Sequence, residues 1–512
     1  MKILDTSNLH LMLDQLTDDE IYWTYNGLDC AVTYEIRDKL NELFDETRLA
    51  TYKRALEFQA PFLEMMLRGV RVDQSHVERV IAESKETLRR LENNFNRLCM
   101  EGLGLTAPVN WNSPLQVKSL MYDVLGLPVI KKRNAAGLYA PSADREALEK
   151  LCVHFTAEPF CLHILAMRDL GKMIGFLETP MDSDSRMRCN FNLAGTDTGR
   201  LSSSFSDFGS GTNLQNVDRN LRYIFVPDPG KVFINIDLEQ ADSRNVGALC
   251  WNLFYESHGP EFAGSYLDAC ESGDLHTTVC RMAWTNLSWG EDPGGWRSVA
   301  DLVAYRTYSY RDMAKKLGHG TNYYGQPKTM SAHSKVPVDQ IAAFQRNYFG
   351  AFPCIPEWHK ATIYELQTTG SLTHLFGRKR YFFERLDAQS TINAAIAYKP
   401  QGMTGEEINL GIMNLWRNPQ IELLIQVHDS ILFQVDEKRV NELTQWAVDQ
   451  MPARLILAGD REFFVPCEAK VGWNWGDMSE ANPFGLKKFK GEETRTPPRR
   501  ANTNRVSIRS LL

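Results

Sequence analysis

The sequence predicts an α+β chain in which a few strands are set among long helical regions. Two observations support this fold class. Apolar, strand-like runs lie far apart, at Val232–Asp237 and Leu423–Phe433, and helical patterns fill most of the rest of the chain. With 512 residues, the chain is too long for one core, so we expect three or four units.

Composition limits the class of protein. The chain is 43% hydrophobic and 24% charged, which is typical of globular proteins in water. No apolar run approaches the ~20 residues of a membrane span, and the first residues lack the apolar segment of a signal peptide. The ten cysteines are scattered without a CxxC pair, which favours reduced thiols over disulfides or a zinc site. We therefore expect a cytoplasmic protein with no membrane partner.

Charge is distributed unevenly along the chain. The formal net charge is −7, but residues 486–512 are strongly basic and the remainder is strongly acidic. Net charge describes solubility and long-range steering, so it neither supports nor excludes a nucleic-acid partner. The basic tail has two open interpretations: a solvated, disordered segment, or an arm that binds DNA or a protein.

The first 180 residues are predicted to be mainly helical. An amphipathic stretch runs from Tyr25 to Leu43, and a later helix ends at Gly69 and leads into a short extended piece. A long amphipathic helix follows from Gln74 to about Met100, and Ser113-Pro114 begins another. Residues 141–178 are helical in pattern again.

The second part of the chain alternates between turns, helices and strands. Residues 190–230 are rich in Gly, Ser, Thr and Asn, which predicts polar turns. Residues 246–370 are mostly helical in pattern, and strand patterns return at Leu372–Phe383 and Leu423–Val435. After Trp475 the composition indicates a loose tail.

Two aspartates lie at the ends of the apolar runs. Asp237 closes the first run, and Asp429 lies inside the second, near the tip of a predicted hairpin. A carboxylate at a strand end can point into a cleft and bind Mg²⁺ through oxygen. For either residue alone, a turn aspartate that caps its own backbone remains an alternative.

Between these aspartates, a predicted helix carries Arg311, Lys315, His319 and Tyr323 at steps of four. Such positions drift by only about 40° per step and share one face. Two cations followed by two rings suit a triphosphate with its sugar and base, although a solvated basic face is the alternative.

Together these motifs resemble family A DNA polymerases of bacteriophage type. The segment Asp237-Leu238-Glu239-Gln240-Ala241-Asp242-Ser243-Arg244 resembles the first catalytic motif, Asp-Tyr-Ser-Gln-Ile-Glu-Leu-Arg. The helix is similar to the fingers helix of the family, and Gln426-Val427-His428-Asp429-Ser430 to its second carboxylate motif. Further similar segments follow in the family's order, and the resemblance covers about residues 55–478; these segments are 110–116, 198–203, 213–217, 273–276, 376–380 and 471–475.

The resemblance implies a right-hand polymerase fold with an antiparallel-sheet palm, helical fingers and a helical thumb. The expected divisions are a remnant of the end of a 3′–5′ exonuclease domain (1–50), the thumb (51–180, with a palm-entry segment near 57–73), the first part of the palm (181–245), the fingers (246–370), the second part of the palm (371–480) and a basic, disordered tail (481–512).

The resemblance also implies a role for individual residues. Asp237, Asp429 and the carbonyl of Leu238 would hold two Mg²⁺ ions, for which Mn²⁺ can substitute, and Lys315 would assist catalysis. The other expected contacts fall into two groups. Those to the nucleotide are Arg311, Lys315, His319, Tyr323, Asp242, His276 and Gln240, and those to DNA are Arg200, Thr198, Gln215, Asn216, Gln401, Asn393, His428 and Arg378.

The chain departs from the family pattern at several of these positions. Asp242 stands where the family has a sugar-gate Glu, which leads us to expect weaker rejection of ribonucleotides. His319 replaces Phe or Tyr, and Ser430 replaces Glu. Asn393 and Gln401 are further apart than their family counterparts, and Tyr324 competes with Tyr323 for the templating position.

The expected function is template-directed DNA synthesis on primer–template DNA from deoxynucleoside triphosphates, in the host cytoplasm if the chain is phage-encoded. Tyr25-Asn26-Gly27-Leu28-Asp29 resembles the last motif of a family 3′–5′ exonuclease domain. Two carboxylate motifs that such a domain needs would lie upstream of residue 1, so we expect no proofreading by this chain. A separate exonuclease subunit and a processivity factor remain open as partners. Two alternatives remain: a single-subunit phage-type RNA polymerase, whose second motif also reads His-Asp-Ser, and a non-catalytic DNA-binding replication subunit.

Overall fold

The structure, a computed structural model, describes residues 16–133, 137–305 and 308–491. Most of these residues are helical. In chain order the α-helices are α1 Asp18–Glu42, α2 Glu46–Arg68, α3 Gln74–Arg97, α4 Pro114–Lys118, α5 Arg145–Leu151, α6 Glu158–Leu177, α7 Ala241–His258, α8 Pro260–Glu271, α9 Leu275–Ala283, α10 Pro293–Ala300, α11 Tyr310–Asn322, α12 Pro327–Ser334, α13 Val338–Ala351, α14 Cys354–Thr369, α15 Gln389–Trp416 and α16 Val440–Gln450.

The strands form one five-stranded sheet and several two-stranded ribbons. In chain order they are β1 Val70–Arg71, β2 Lys131–Arg133, β3 Tyr139–Pro141, β4 Arg186–Met187, β5 Asn190–Asn192, β6 Ser202–Ser204, β7 Lys231–Leu238, β8 Val303–Tyr305, β9 Tyr308–Ser309, β10 Ser371–Thr373, β11 Lys379–Tyr381, β12 Glu422–Val427, β13 Ser430–Asp436, β14 Arg454–Leu457, β15 Arg461–Phe464, β16 Cys467–Gly472 and β17 Lys487–Lys488.

The five-stranded sheet joins the two apolar runs that the sequence places far apart. Its order is β12-β13-β7-β16-β17, and all neighbouring strands are antiparallel. Val232, Phe233, Ile234 and Ile236 of the central strand β7 are buried, because α2, α15 and α16 contact strands of this sheet. Both predicted strands are confirmed.

The fifth strand corrects the predicted start of the tail at residue 481. Lys487 and Lys488 of β17 pair with Val471 and Lys470 of β16, and Leu486 is buried. Leu486 and Phe489, on either side of the two exposed lysines, pack against the core around the sheet, so the sheet includes residues assigned to the loose segment. The remaining tail positions, 492–512, lie outside the described residues.

Glycine ends α2 as predicted. Gly69 has φ +62°, and a Cβ there would lie 2.7 Å from the carbonyl oxygen of Met187. Only glycine fits this combination of left-handed backbone and close approach. The chain then enters β1, which pairs with β4.

Helices α3 to α6 surround a hydrophobic core of their own. Buried residues from Phe95 to Met167 form a cluster separate from the one around the sheet. The predicted long helix is confirmed as Gln74–Arg97, and residues 141–178 form two helices, α5 and α6, rather than one. By contrast, α1 contains no buried residue.

The cysteines within the described residues are all free thiols, as the sequence predicts. Among the helices of the same residues, none combines the length and apolar character that a membrane span requires.

Candidate functional site

Sheet pairing brings the two predicted carboxylates to one edge of the central sheet. Asp237 lies near the end of β7, and Asp429 lies in the two-residue turn between β12 and β13. The pairing of β13 with β7 sets Ser430 opposite Asp237. In addition, the Leu238 amide donates a hydrogen bond to the Asp429 carbonyl (3.0 Å).

The electrostatics of this pair favour a bound cation. Reduced solvation and the charge of Asp429 raise the pKa of Asp237 to about 6. Burial also raises the pKa of Asp429, against the opposing effect of Arg200. A cation shared by the two carboxylates would offset the free-energy cost of ionising each of them in this buried position.

The oxygen atoms here fit a divalent metal. Asp429 Oδ1 is buried without a hydrogen-bond partner, and it lies 3.7 Å from Arg200 Nη2. The described residues contain no group of three or more His, Cys, Asp or Glu side chains placed to hold a metal. Main-chain oxygens, such as that of Leu238, and ligand oxygens would therefore have to complete the coordination of a hard cation.

Both acidic turns have a residue in the left-handed region. Gln240, three residues after Asp237, has φ 58°, and His428, directly before Asp429, has φ 52°. Such backbone costs on the order of 1–3 kcal/mol for a residue other than glycine. Its occurrence in both turns is typical of a functional site.

A cavity of about 930 Å³ lies between Asp429 and α11. Among its lining residues are Gln240, Asp242, His276, Lys315, His319 and Asp429. The cavity therefore collects most of the residues that the sequence assigns to the nucleotide, from separate elements of the chain.

Helix α11 does not present all four of its predicted residues to the cavity. Lys315 and His319 line it, but the helix ends at Asn322, so Tyr323 lies just beyond it. The rings of His319 and Tyr323 are 4.8 Å apart. Lys315 and His319 therefore reach the cavity, whereas Arg311 and Tyr323 are not among its lining residues, and contact of these four residues with a nucleotide stays a prediction.

Arg311 is held away from the cavity by an ion pair. Its Nη2 and Nε donate to Asp274, at 3.0 and 3.3 Å. Asp274 also caps α9 through the amide of Thr277 and lies 3.5 Å from Arg297. Against the effect of burial, hydrogen bonds from Arg311 and Thr277 and the charge of Arg311 lower the pKa of Asp274 to about 2.

His276 and Lys315 are two of the polar groups that line the cavity. Burial, with Arg311 and Lys315 nearby, lowers the pKa of His276 to about 4, so the ring is neutral at pH 7. Lys315 is exposed, and no ion pair of the described residues includes it. It is thus a cation without a competing carboxylate partner.

Asp242 is fixed by two hydrogen bonds on one oxygen. Its Oδ1 accepts from Arg200 Nη2 (2.7 Å) and from Thr404 Oγ1 (2.9 Å). Arg200 also donates to the carbonyl of Gln401 (3.2 Å). Burial and the charge of Asp242 raise the pKa of Tyr323, which indicates that the phenol lies beside this carboxylate.

Some of the residues predicted to contact DNA are joined to the site by hydrogen bonds or packing. Gln215 donates to Gln426 (2.6 Å), which in turn donates to the carbonyl of His428. Arg378 packs over Gly199, where a Cβ would lie 2.6 Å from its Nε, beside Thr198 and Arg200.

Two of the predicted DNA contacts stand apart. Asn216 and Asn393 are exposed, and Asn393 accepts a hydrogen bond from Gln389 (2.9 Å). No hydrogen bond of the described residues joins Asn393 to the site.

Comparison with known proteins gives the family. Residues 74–252 and 299–477 match the sequence profile of DNA polymerase family A. The chain belongs to this family. Residues 253–298, which include Asp274 and Arg297, lie outside the match.

Its curated relatives are bacterial family A enzymes. The chain is 27% identical over 476 residues to the thermostable DNA polymerase I of Thermus thermophilus, covering 88% of this chain and 51% of that protein. It is 26% identical over 418 residues to DNA polymerase I of Helicobacter pylori, covering 76% and 41%. The chain thus spans about half the length of the curated relatives it matches.

A solved structure shows the fold. The POL domain of Pol1 from M. smegmatis, in complex with DNA primer-template and dNTP, has a TM-score of 0.65 and 23% sequence identity, covering 82% of this chain and 70% of that one. The predicted polymerase fold is confirmed.

Within this family A chain, the structure separates the two adjacent tyrosines. Tyr324 has φ 62° and packs against His359, with ring centroids 5.1 Å apart. Its side chain is therefore part of the packing between α11 and α14, whereas Tyr323 lies beside Asp242.

Sequence reasoning missed the buried polar residues behind the site. Thr404, Asn245 and Glu407 are all buried, and the first of these binds Asp242. A signal was present, because Thr404 and Glu407 lie three positions apart and so share one face of a helix, near the apolar residues Met403 and Ile408.

Proposed function

We propose that this chain is a template-directed DNA polymerase that adds deoxynucleotides to a primer 3′-hydroxyl. The observation that carries the proposal is that sheet pairing sets Asp237 beside the turn of Asp429, and that Asp429 lines a cavity together with Lys315 and His276. Paired carboxylates facing cations across a nucleotide-sized cavity are the elements that phosphoryl transfer requires.

The acidic pair would bind divalent metal. Asp237, Asp429 and the Leu238 carbonyl would hold two Mg²⁺ ions, with Mn²⁺ as a substitute. When bound, such ions make a hydroxyl more nucleophilic and stabilise the leaving pyrophosphate. The raised pKa of Asp237 and the unpartnered oxygen of Asp429 support this assignment.

The cations would act on the triphosphate. Lys315, with no carboxylate partner, would neutralise phosphate charge and protonate the leaving group. Neutral His276 would donate a hydrogen bond to a phosphate oxygen. Arg311 would also bind the triphosphate once a phosphate group replaces Asp274 as its partner.

The sugar and base would lie on the side of Asp242. Its carboxylate would exclude a ribose 2′-hydroxyl, while Tyr323 and His319 supply ring surfaces. Gln240 has a buried side-chain oxygen without a hydrogen-bond partner, which suits a ligand donor.

Primer–template DNA would lie beside the strands that follow residue 190. Contacts are proposed for Thr198, Arg200, Gln215, Asn216, Arg378, Gln401 and His428, and with less support for Asn393. The divisions stated above, with the thumb at 51–180, the fingers at 246–370 and the palm on either side of the fingers, are part of this proposal. The separate hydrophobic core of α3 to α6 supports the thumb.

The finer assignments are a bacteriophage origin and replication of phage DNA in a host cytoplasm. The partners proposed besides DNA and nucleotides are an exonuclease subunit and a processivity factor. Helix α1, which contains Tyr25 and Asp29 and has no buried residue, is compatible with such a partner.

The two alternatives have less support. An RNA polymerase would not need a carboxylate fixed at the position of Asp242, and a non-catalytic subunit would not need the paired aspartates and the unpaired Lys315.

Primer extension tests the proposal. A primed DNA template with Mg²⁺ is supplied with deoxynucleotides or ribonucleotides, and with a paired or mismatched 3′ end. Extension with deoxynucleotides and no trimming of the mismatch is expected. Extension only with ribonucleotides would favour the RNA polymerase, and DNA binding without extension would favour the non-catalytic subunit.

A further inference from the structure

A chain of buried hydrogen bonds leads away from Asp242 into the interior. Thr404 Oγ1 donates to Asp242 Oδ1 (2.9 Å), and Asn245 Nδ2 donates to Thr404 Oγ1 (3.1 Å). The same nitrogen donates to Glu407 Oε2 (3.0 Å). Asn245 is 0% exposed, and Thr404 and Glu407 are 1% exposed.

The neighbours of Thr404 restrict the direction in which its hydroxyl donates. The hydroxyl of Thr404 has one proton and two acceptors in reach, Asp242 Oδ1 and the Pro400 carbonyl at 3.1 Å. Asn245 occupies a lone pair of the hydroxyl oxygen, which turns the proton away from Asn245 and toward these acceptors. An acceptor oxygen on Glu407 keeps the NH₂ group of Asn245, rather than its carbonyl, facing Thr404.

The other support of Asp242 is less secure. Arg200 is 30% exposed and is shared, because its Nη2 also lies 3.7 Å from Asp429 Oδ1. If the Thr404 bond were lost, only Arg200 would position the carboxylate of Asp242, and the position of Arg200 also depends on Asp429.

Burial of these groups requires a reason beyond packing. A buried polar side chain destabilises the fold unless it is paired, and Glu407 has no cation among the ion pairs of the described residues. Its neighbour Glu406, by contrast, pairs with Arg54 (2.9 Å) and Arg378 (3.5 Å). Burial raises the pKa of Glu407 to about 8.

We propose that Asn245, Thr404 and Glu407 form a positioning relay that fixes the carboxylate of Asp242 and thereby sets discrimination between deoxyribonucleoside and ribonucleoside triphosphates. This inference rests on the proposed polymerase function. It assigns no contact with substrate to the three relay residues, which act through Asp242 alone.

The test compares kcat/KM for dTTP and UTP on one primed DNA template. In T404V the side-chain shape is kept and the donor is lost, so the dTTP/UTP ratio should fall about tenfold, the value of one hydrogen bond to a charged group. T404S keeps the hydroxyl and should retain the ratio to within about twofold. A general folding defect lowers both rates and leaves their ratio unchanged.

A double substitution tests the relay itself. N245A should lower the ratio about threefold, and N245A/T404V should lower it no further than T404V alone, because both act through one bond. If T404V fails to fold, as judged by thermal melting, N245A against T404S makes the same comparison.

The outcomes distinguish the two proposals. A ratio within twofold of the parent in folded T404V and N245A, or an equal loss in T404S, would overturn the relay while leaving the polymerase intact. No extension by the unsubstituted chain would instead overturn the proposed function on which the relay rests.

Discussion

The main-chain amide of Leu238 donates a hydrogen bond to the main-chain carbonyl of Asp429 at 3.0 Å. This bond joins the two turns that carry the acidic residues and continues the pairing of Ser430 with Asp237. The backbone of the sheet therefore holds together the two turns that carry these carboxylates.

Replacing either aspartate should abolish synthesis without unfolding the chain. In Asp237→Asn or Asp429→Asn the side-chain shape is nearly kept but a metal-binding charge is lost. We expect primer extension to fall by at least roughly a thousandfold, with DNA binding retained in a gel-shift measurement. Glu468→Gln is the matched control, because Glu468 is opposite Asp237 in the sheet but already bonds Lys488 (2.7 Å). An equal loss in the control would contradict the assignment.

Adjacent lysines on α11 should differ in their effect. Lys315 has no ion-pair partner among the described residues, whereas Lys316 lies 4.0 Å from the ring centroid of Tyr308. Single-turnover extension at saturating nucleotide should slow about a hundredfold in Lys315→Ala, the scale of a lost general acid, and less than about threefold in Lys316→Ala. Similar rates for the two variants would show that the cation is not positioned for chemistry.

Asp274 should compete with the triphosphate for Arg311. Asp274→Asn removes the charge but keeps an acceptor for the Thr277 amide at the start of α9. We expect the apparent KM for deoxynucleotide to fall about threefold, the scale of a partly exposed ion pair, with kcat unchanged. Asp292→Asn, at the N-cap of α10, is the control. A rise in KM would mean instead that Asp274 orients Arg311 toward the phosphates.

Glu407 should make folding stability decrease as pH rises. Its pKa is raised from 4.5 to about 8 in the folded protein, so the unfolded chain releases this proton first. Between those two values the folded state binds more protons, and stability falls with increasing pH. In Glu407→Gln this contribution is absent.

Denaturant unfolding of both proteins at pH 5 and pH 8 measures this effect. The stability of the variant relative to the parent should increase by roughly 3 kcal/mol between the two pH values. Parallel pH profiles would contradict the raised pKa.

Lengthening the proposed gate should tighten selectivity. In Asp242→Glu the carboxylate extends one methylene further into the cavity. We expect the dTTP/UTP ratio of kcat/KM to rise at least about threefold, measured as for the relay. Equal ratios would show that the shorter side chain is no weaker at excluding ribonucleotides.

Local patterns in the sequence determined much of this structure. The apolar runs at Val232 and Leu423 predicted β7 and the β12–β13 hairpin, and Gly69 predicted the end of α2, since strand pairing and helix termination follow from nearby residues. The apolar runs also predict Asp237 and Asp429, and the steps of four predict Lys315. The structure brings Lys315 and Asp429 to one cavity, with Asp237 paired to the residue after Asp429.

Only the tertiary structure decided how these parts act on one another. The register of β7 against β13, the pairing of Arg311 with Asp274, the addition of β17 to the sheet and the relay from Glu407 to Asp242 all join residues separated in sequence. The burial that fixes their protonation and hydrogen bonds comes from contacts across the fold. Local propensity therefore specified the elements, whereas long-range packing specified which polar groups meet.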